Sequence, residues 1–138
     1  MTESANTPAP TVWHSLSYDD ALAAIDTLTN VFGFVTKAVY YADEQERVVA
    51  HAQLDWPPGG GIMLGSAPRP DGWPDVRGKG SAYCVVESPG DVDEVFARAK
   101  GAGLRVLREP TDEDYGGRDC VVLDPEGNQW SFGSYRGE

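Results

Sequence analysis

The sequence predicts an α+β protein built from two βαβββ modules. Three observations carry this. The order strand, helix, strand, strand, strand occurs twice; a Pro- and Gly-rich stretch at 67–79 separates the two runs; and 138 residues, 41% of them hydrophobic, suit one ordinary domain whose core both modules share.

Residues 1–10 are polar and Pro-containing, without the apolar stretch of a secretion signal, and read as a disordered leader. The first module is expected over 11–66. Residues 11–18 alternate, with Trp13, Ser15 and Ser17 on one face and His14, Leu16 and Tyr18 on the other. Asp19-Asp20 offers a helix N-cap, Ala21, Ile25, Leu28 and Phe32 follow at helical spacing, and Gly33 supplies the stop. Strands are predicted at 34–41, 47–56 and 61–66, with turns at Asp43-Glu44-Gln45 and Pro57-Pro58-Gly59-Gly60. In the middle one, Val48, Ala50, Ala52 and Leu54 read as the apolar face beneath the helix, leaving His51, Gln53 and Asp55 as a polar row. After the 67–79 linker, the second module spans 80–138. Its first strand is predicted at 81–87. Ser88-Pro89-Gly90-Asp91 opens a helix, Val92, Val95, Phe96 and Ala99 form its apolar face, and Gly101 and Gly103 end it. Strands at 104–108, 117–123 and 128–135 follow, the last two joined by the turn sequence Asp124-Pro125-Glu126-Gly127-Asn128. One helix covers only one face of each sheet, so the other must meet a partner or enclose a pocket.

Composition excludes several function classes. No apolar run approaches the roughly 20 residues of a membrane span. A formal charge of −11 opposes phosphate contact, so nucleic acid is not an expected partner, and neither is an anionic membrane surface. The acidity serves either solubility or the attraction of cations. Cys84 and Cys120 lie in apolar runs and read as buried free thiols in a cytoplasmic protein.

The segments 18–25, Phe32-Gly33-Phe34, 51–54, 62–65, Asp91-Val92-Asp93, 96–99, 115–118 and 124–130, in this order and spacing, resemble the vicinal oxygen chelate superfamily of glyoxalases, bleomycin-resistance proteins and extradiol dioxygenases. The likeness runs over about residues 12–136. It implies paired βαβββ modules, an open, U-shaped mixed sheet around a cup, and a homodimer. One fold of this kind hosts many chemistries.

Metal-dependent members hold one divalent ion with His or Glu from the first and last strand of each module, as a Lewis acid. Here the position seven residues before Asp20 is Trp13, and His14 lies one place away on the opposite face, usable only through a bulge. Residues 61–66 hold no carboxylate, 81–86 no histidine, and Ser131 stands where the family's enzymes carry Glu. The resemblance therefore points to a metal-free branch with no metal ligands and no cofactor.

His51 is either a ligand contact, as hydrogen-bond partner or weak base, or part of a solvated face. Trp130 and Phe132 read as core. Trp13 offers a stacking surface where a metal ligand would stand, while Trp56, Trp73 and Tyr115 either rim a pocket or anchor loops. Arg118 is a pocket cation or a partner of Asp112, Glu113 or Asp114, which read as a solvated loop. Gly59-Gly60-Gly61 lacks the Lys-Ser/Thr of a phosphate loop, and no Gly-x-Ser-x-Gly elbow occurs. The candidate ligand-binding set is Trp13, Ser15, His51, Gln53, Trp56, Tyr115, Arg118 and Ser131, with no catalytic residue. The expected function is binding of a planar or cationic small molecule. The alternatives are a lyase, isomerase or dioxygenase with an unorthodox or absent metal site, or a regulatory module with a vestigial pocket.

Overall fold

A computed structural model describes residues 9–138. Most of the leader expected at 1–10 lies outside the described residues. The first module comprises β1 (His14–Tyr18), α1 (Ala21–Thr27), β2 (Val35–Tyr41), β3 (Val49–Asp55) and β4 (Gly61–Ser66). The second comprises β5 (Ser81–Val85), α2 (Pro89–Gly101), β6 (Val106–Asp112), β7 (Arg118–Leu123) and β8 (Gln129–Gly133). Each module forms a four-stranded sheet, in the orders β1-β4-β3-β2 and β5-β8-β7-β6. The first strand pairs in parallel with the last, and the other pairs are antiparallel. This is the α+β fold of two repeated βαβββ modules that the sequence pattern predicts.

Local chemistry sets the helices. The Asp20 carboxylate accepts from Ala23 N at 3.0 Å and caps α1. Beyond Thr27 the helix widens into a π-turn over residues 28–32, and Gly33, at φ 100°, ends it in the left-handed region. A Ser88–Asp91 capping box starts α2.

One face of each sheet joins a common core. Leu16, Leu28, Phe32, Leu54 and Leu64 from the first module are buried in the same cluster as Val92, Val95, Val122, Trp130 and Phe132 from the second. Phe32 packs 4.9 Å from Phe132 and Phe34 packs 5.7 Å from Trp130, centroid to centroid. Polar contacts also cross between modules. Tyr18 Oη donates to Asp124 at 2.6 Å, Glu126 accepts from Asp19 N and Asp20 N, and Arg98 Nε donates to Val31 O. Cys84 and Cys120 are buried free thiols.

Three details differ from the sequence expectation. In β3 the buried face runs through Val49, Ala52 and Leu54, while Val48 and Ala50 are exposed. The cause is an irregularity in the β2–β3 ladder: Tyr40 pairs with His51 but Tyr41 pairs with Val49, so Ala50 is skipped and the alternation changes phase. The sixth strand runs on to Asp112 rather than stopping at 108, through register shifts on both sides of Arg108. Glu113 belongs to a hairpin tip rather than a solvated loop, its side chain only 15% exposed and its carboxylate 2.8 Å from Arg108.

Candidate functional site

Strand alternation places side chains on the face that the helices leave open. On the first sheet these are Trp13, Ser15 and Ser17, then Met63 beside them on β4, then His51, Gln53 and Asp55 on β3; Ser15 pairs with Met63, and Met63 with Gln53. Trp13 lies over Gly61, where an added Cβ would sit 2.8 Å from its ring, so the indole rests close against backbone. Gln53 Nε2 donates to Asp55 at 2.8 Å. Tyr40 and His51 form a nearly parallel pair with centroids 6.3 Å apart.

Residues 67–79 strap this face. Ala67 N donates to Tyr18 O, and Arg77 pairs with both Asp19 and Asp75 at 2.7 and 2.8 Å. The Arg69 guanidinium stacks on Trp73 at 4.8 Å. Between strap and sheet lies a groove of about 420 Å³, lined by Ser15, Ser17, His51, Met63, Pro68 and Arg69.

The open face of the second sheet carries Ser131, paired with Tyr83 and Val121, and Asp119. Tyr83 lies across Gly133, where its hydroxyl leaves no room for a Cβ, and donates to Tyr135 O at 2.8 Å. Tyr115 meets Tyr135 edge to face at 5.1 Å and donates to Asp119 at 3.3 Å. Asp119 in turn raises the Glu113 carboxyl above the usual range.

Of the candidate residues, the structure brings Trp13, Ser15, His51 and Gln53 together on one open face and places Ser131 and Tyr115 on the other. Trp56 and Arg118 join neither. Trp56 turns to the helix side, 4.8 Å from Phe34 and 5.9 Å from Phe132, and its Nε1 donates to Val85 O at 2.7 Å. Arg118 shares its side of β7 with buried Cys120 and is held by Asp93 of α2 at 2.9 Å and Asp112 at 3.1 Å. Acids on the neighbouring helix α2 and strand β6 neutralise it there. His14 packs edge-on against Trp130 with its Nε2 buried and unpartnered, and burial lowers its pKa below the usual imidazole value.

Sequence reasoning missed Met63, Tyr83 and Arg69. Alternation between Ile62 and Leu64 could have found Met63, and alternation between Ala82 and Cys84 could have found Tyr83. Nothing local to 67–79 says where that segment docks.

A divalent ion held between these faces would need hard or borderline donors from β1, β4, β5 and β8. The open-face side chains there are Ser15 and Ser17, with Trp13 just before β1; Met63; Ser81, Tyr83 and Val85; and Gln129 and Ser131. An indole, a thioether, a phenol, an alkyl group, one amide and neutral hydroxyls do not make the charged or imidazole donor set such an ion needs. Among the described residues, no three His, Cys, Asp or Glu side chains gather as a metal-ligand set, and no helix is long and apolar enough to cross a membrane.

A family model described as Glyoxalase/Bleomycin resistance protein/Dioxygenase superfamily matches residues 11–132. Among solved structures, TioX from Micromonospora sp. ML1 is 30% identical, over 89% of this chain and 98% of that one, with a TM-score of 0.69. A glyoxylase/bleomycin resistance protein/dioxygenase domain from Frankia sp. EAN1pec is 18% identical, over 94% of this chain and 100% of that one, at a TM-score of 0.70. Lactoylglutathione lyase from Agrobacterium tumefaciens is 20% identical, over 92% and 94% of the two chains, at 0.65. For the last two the likeness is one of fold. No curated protein matches the chain by sequence.

Proposed function

The chain belongs to the glyoxalase/bleomycin resistance protein/dioxygenase superfamily, and we propose that within it the protein reversibly binds a planar or cationic small organic molecule on its open sheet face, without a metal ion. The observation that carries this reading is Trp13. It stands just before β1, on the open side of the sheet, where a metal-dependent relative would offer a ligand, and its ring lies against Gly61. An indole laid against backbone is a preorganised stacking wall, and preorganisation lowers the entropic cost of binding a flat ligand. Further along the same open face stand Ser15, Gln53 and His51, which donate or accept hydrogen bonds but lack the oriented nucleophile–base pair of a covalent catalyst. The overall charge of −11 favours cations through the general field. A homodimer, in which a second copy faces the groove, belongs to the same proposal.

Quenching of tryptophan fluorescence tests this, with ethidium as a planar cation and a neutral anthraquinone as its uncharged counterpart. Saturable quenching by at least one is expected, weakened at least tenfold in Trp13→Ala with the circular dichroism spectrum unchanged. Equal affinity in Trp13→Ala would remove the reading. So would a stoichiometric metal that survives purification and is lost on mutating His14 or His51, which would favour the enzyme reading instead.

A further inference from the structure

A second cavity, of about 350 Å³, opens at the seam between the modules and shares no lining residue with the strapped groove. Phe34, Trp56, Ile62 and Cys84 form its walls, His14 stands at its side and exposed Arg136 completes the lining. We propose that this seam cavity is a separate binding site for a small aromatic carboxylate.

Size comes first. The volume lies at the lower end of the roughly 300–1,000 Å³ of ligand cavities, which suits a one- or two-ring molecule rather than a large one. Shape comes second. Trp56 is fixed on three sides, by Phe34, by Phe132 and by its hydrogen bond to Val85 O, so the aromatic wall stands ready without ligand. Gly61 brings bare backbone to the rim, since Leu54 O and the Trp13 ring already fill the place of a side chain there. Charge decides the ligand class. No carboxylate lines the cavity, burial favours the neutral form of His14, and Arg136 is the one fixed charge in the lining. Among the described residues Arg136 makes no ion pair, as is also true of Arg47, Arg69, Arg98 and Arg105, but of these only Arg136 lines this cavity. A free guanidinium at the side of an aromatic slot matches a ring bearing a carboxylate, which it can take in bidentate fashion.

The site reads out by NMR of the ¹⁵N-labelled chain, titrated with 2-naphthoate and separately with neutral 2-naphthamide. Naphthoate is expected to give saturable shifts of the Trp56 indole N–H and the Val85 amide, leaving Met63 and His51 of the strapped groove unmoved. Arg136→Gln should weaken naphthoate at least tenfold while changing naphthamide less than threefold. Three results would overturn the proposal: no saturable shift at Trp56 up to millimolar naphthoate, shifts centred on Met63 and His51, or equal weakening of both probes by Arg136→Gln. His51→Ala, in the strapped groove and away from this cavity, should leave naphthoate binding intact, so failure of the groove reading and failure of this one are separable.

Discussion

Asp124 accepts more hydrogen bonds than any other side chain at the joint between modules, where Tyr18 reaches it from the first module. One carboxylate oxygen accepts from Tyr18 Oη, Trp130 Nε1 and Asn128 Nδ2, at 2.6, 3.1 and 3.1 Å, and the other from the backbone N–H groups of Glu126 and Asn128, each at 3.0 Å. All of these partners are donors, so an amide in its place must turn its own NH₂ toward other N–H or O–H groups. Asp124→Asn is therefore expected to cost about 3 kcal/mol, while Tyr18→Phe, which deletes one bond, costs about 1 kcal/mol. Urea denaturation measures both, and an Asp124→Asn loss no larger than that of Tyr18→Phe would refute the donor-crowding account. The sequence marks Asp124-Pro125-Glu126-Gly127-Asn128 as a turn, which it is. Its second task was not legible, because the Tyr18 hydroxyl comes from the other module and only the folded chain brings the two together.

At the scale of elements, β4 is legible to the residue, since Gly59-Gly60 and Pro68 bracket a clean alternation. β3 is not, because the phase change at Ala50 depends on how Tyr40 and Tyr41 pair across the ladder. The open-face residues followed the same rule. Trp13, Ser15 and Ser131 were readable from period-two patterning, whereas Trp56 sits one residue beyond the end of β3 and escapes it. The entry to β4 offers the sharpest test of how an element positions the groove. An added Cβ at Gly61 would meet Leu54 O, the Trp13 ring at 2.8 Å and Asp55 Cα at 3.0 Å, two of them backbone neighbours that cannot swing aside. Gly61→Ala is expected to destabilise by about 3 kcal/mol and to shift the Trp13 indole resonance. Gly60→Ala, one residue earlier, meets open space and bears only the strain of φ 76°, about 1 kcal/mol, with Trp13 unmoved. Thermal melts paired with indole NMR separate the two, and similar melts would show that the contact with Leu54 O is not decisive.

For the whole molecule, buried titratable groups set a stability window from both sides. His14 has a pKa lowered by burial, so below about 6.5 the unfolded chain takes up its proton first and stability falls as pH drops. Tyr18 is raised by burial and then by Asp124, and burial pushes Cys84 up to about 12. Above pH 9, toward pH 10 and beyond, the unfolded chain loses these protons first and stability falls again. Maximum stability is expected between about pH 6.5 and 9. His14→Gln should flatten the acid limb, and an unchanged limb would point to groups other than this imidazole.

The same joint governs cooperativity. The modules are separated by a linker of a kind that often divides independent domains, yet they share one apolar cluster. Across it, Phe32 meets Phe132, Trp56 donates to Val85 O, and Tyr18 donates to Asp124. A βαβββ sheet with one helix cannot bury both faces alone, and separation would expose Trp130, Phe132 and Phe32 together. The chain is therefore expected to unfold in one transition despite its repeat. Cleavage within the strap, at a protease site inserted beside exposed Trp73, should leave the two fragments associated and folded. Urea curves followed by tryptophan fluorescence and by far-ultraviolet circular dichroism should superimpose. Two separated transitions, or fragments that part on size exclusion while keeping their secondary structure, would show that each module holds its own core.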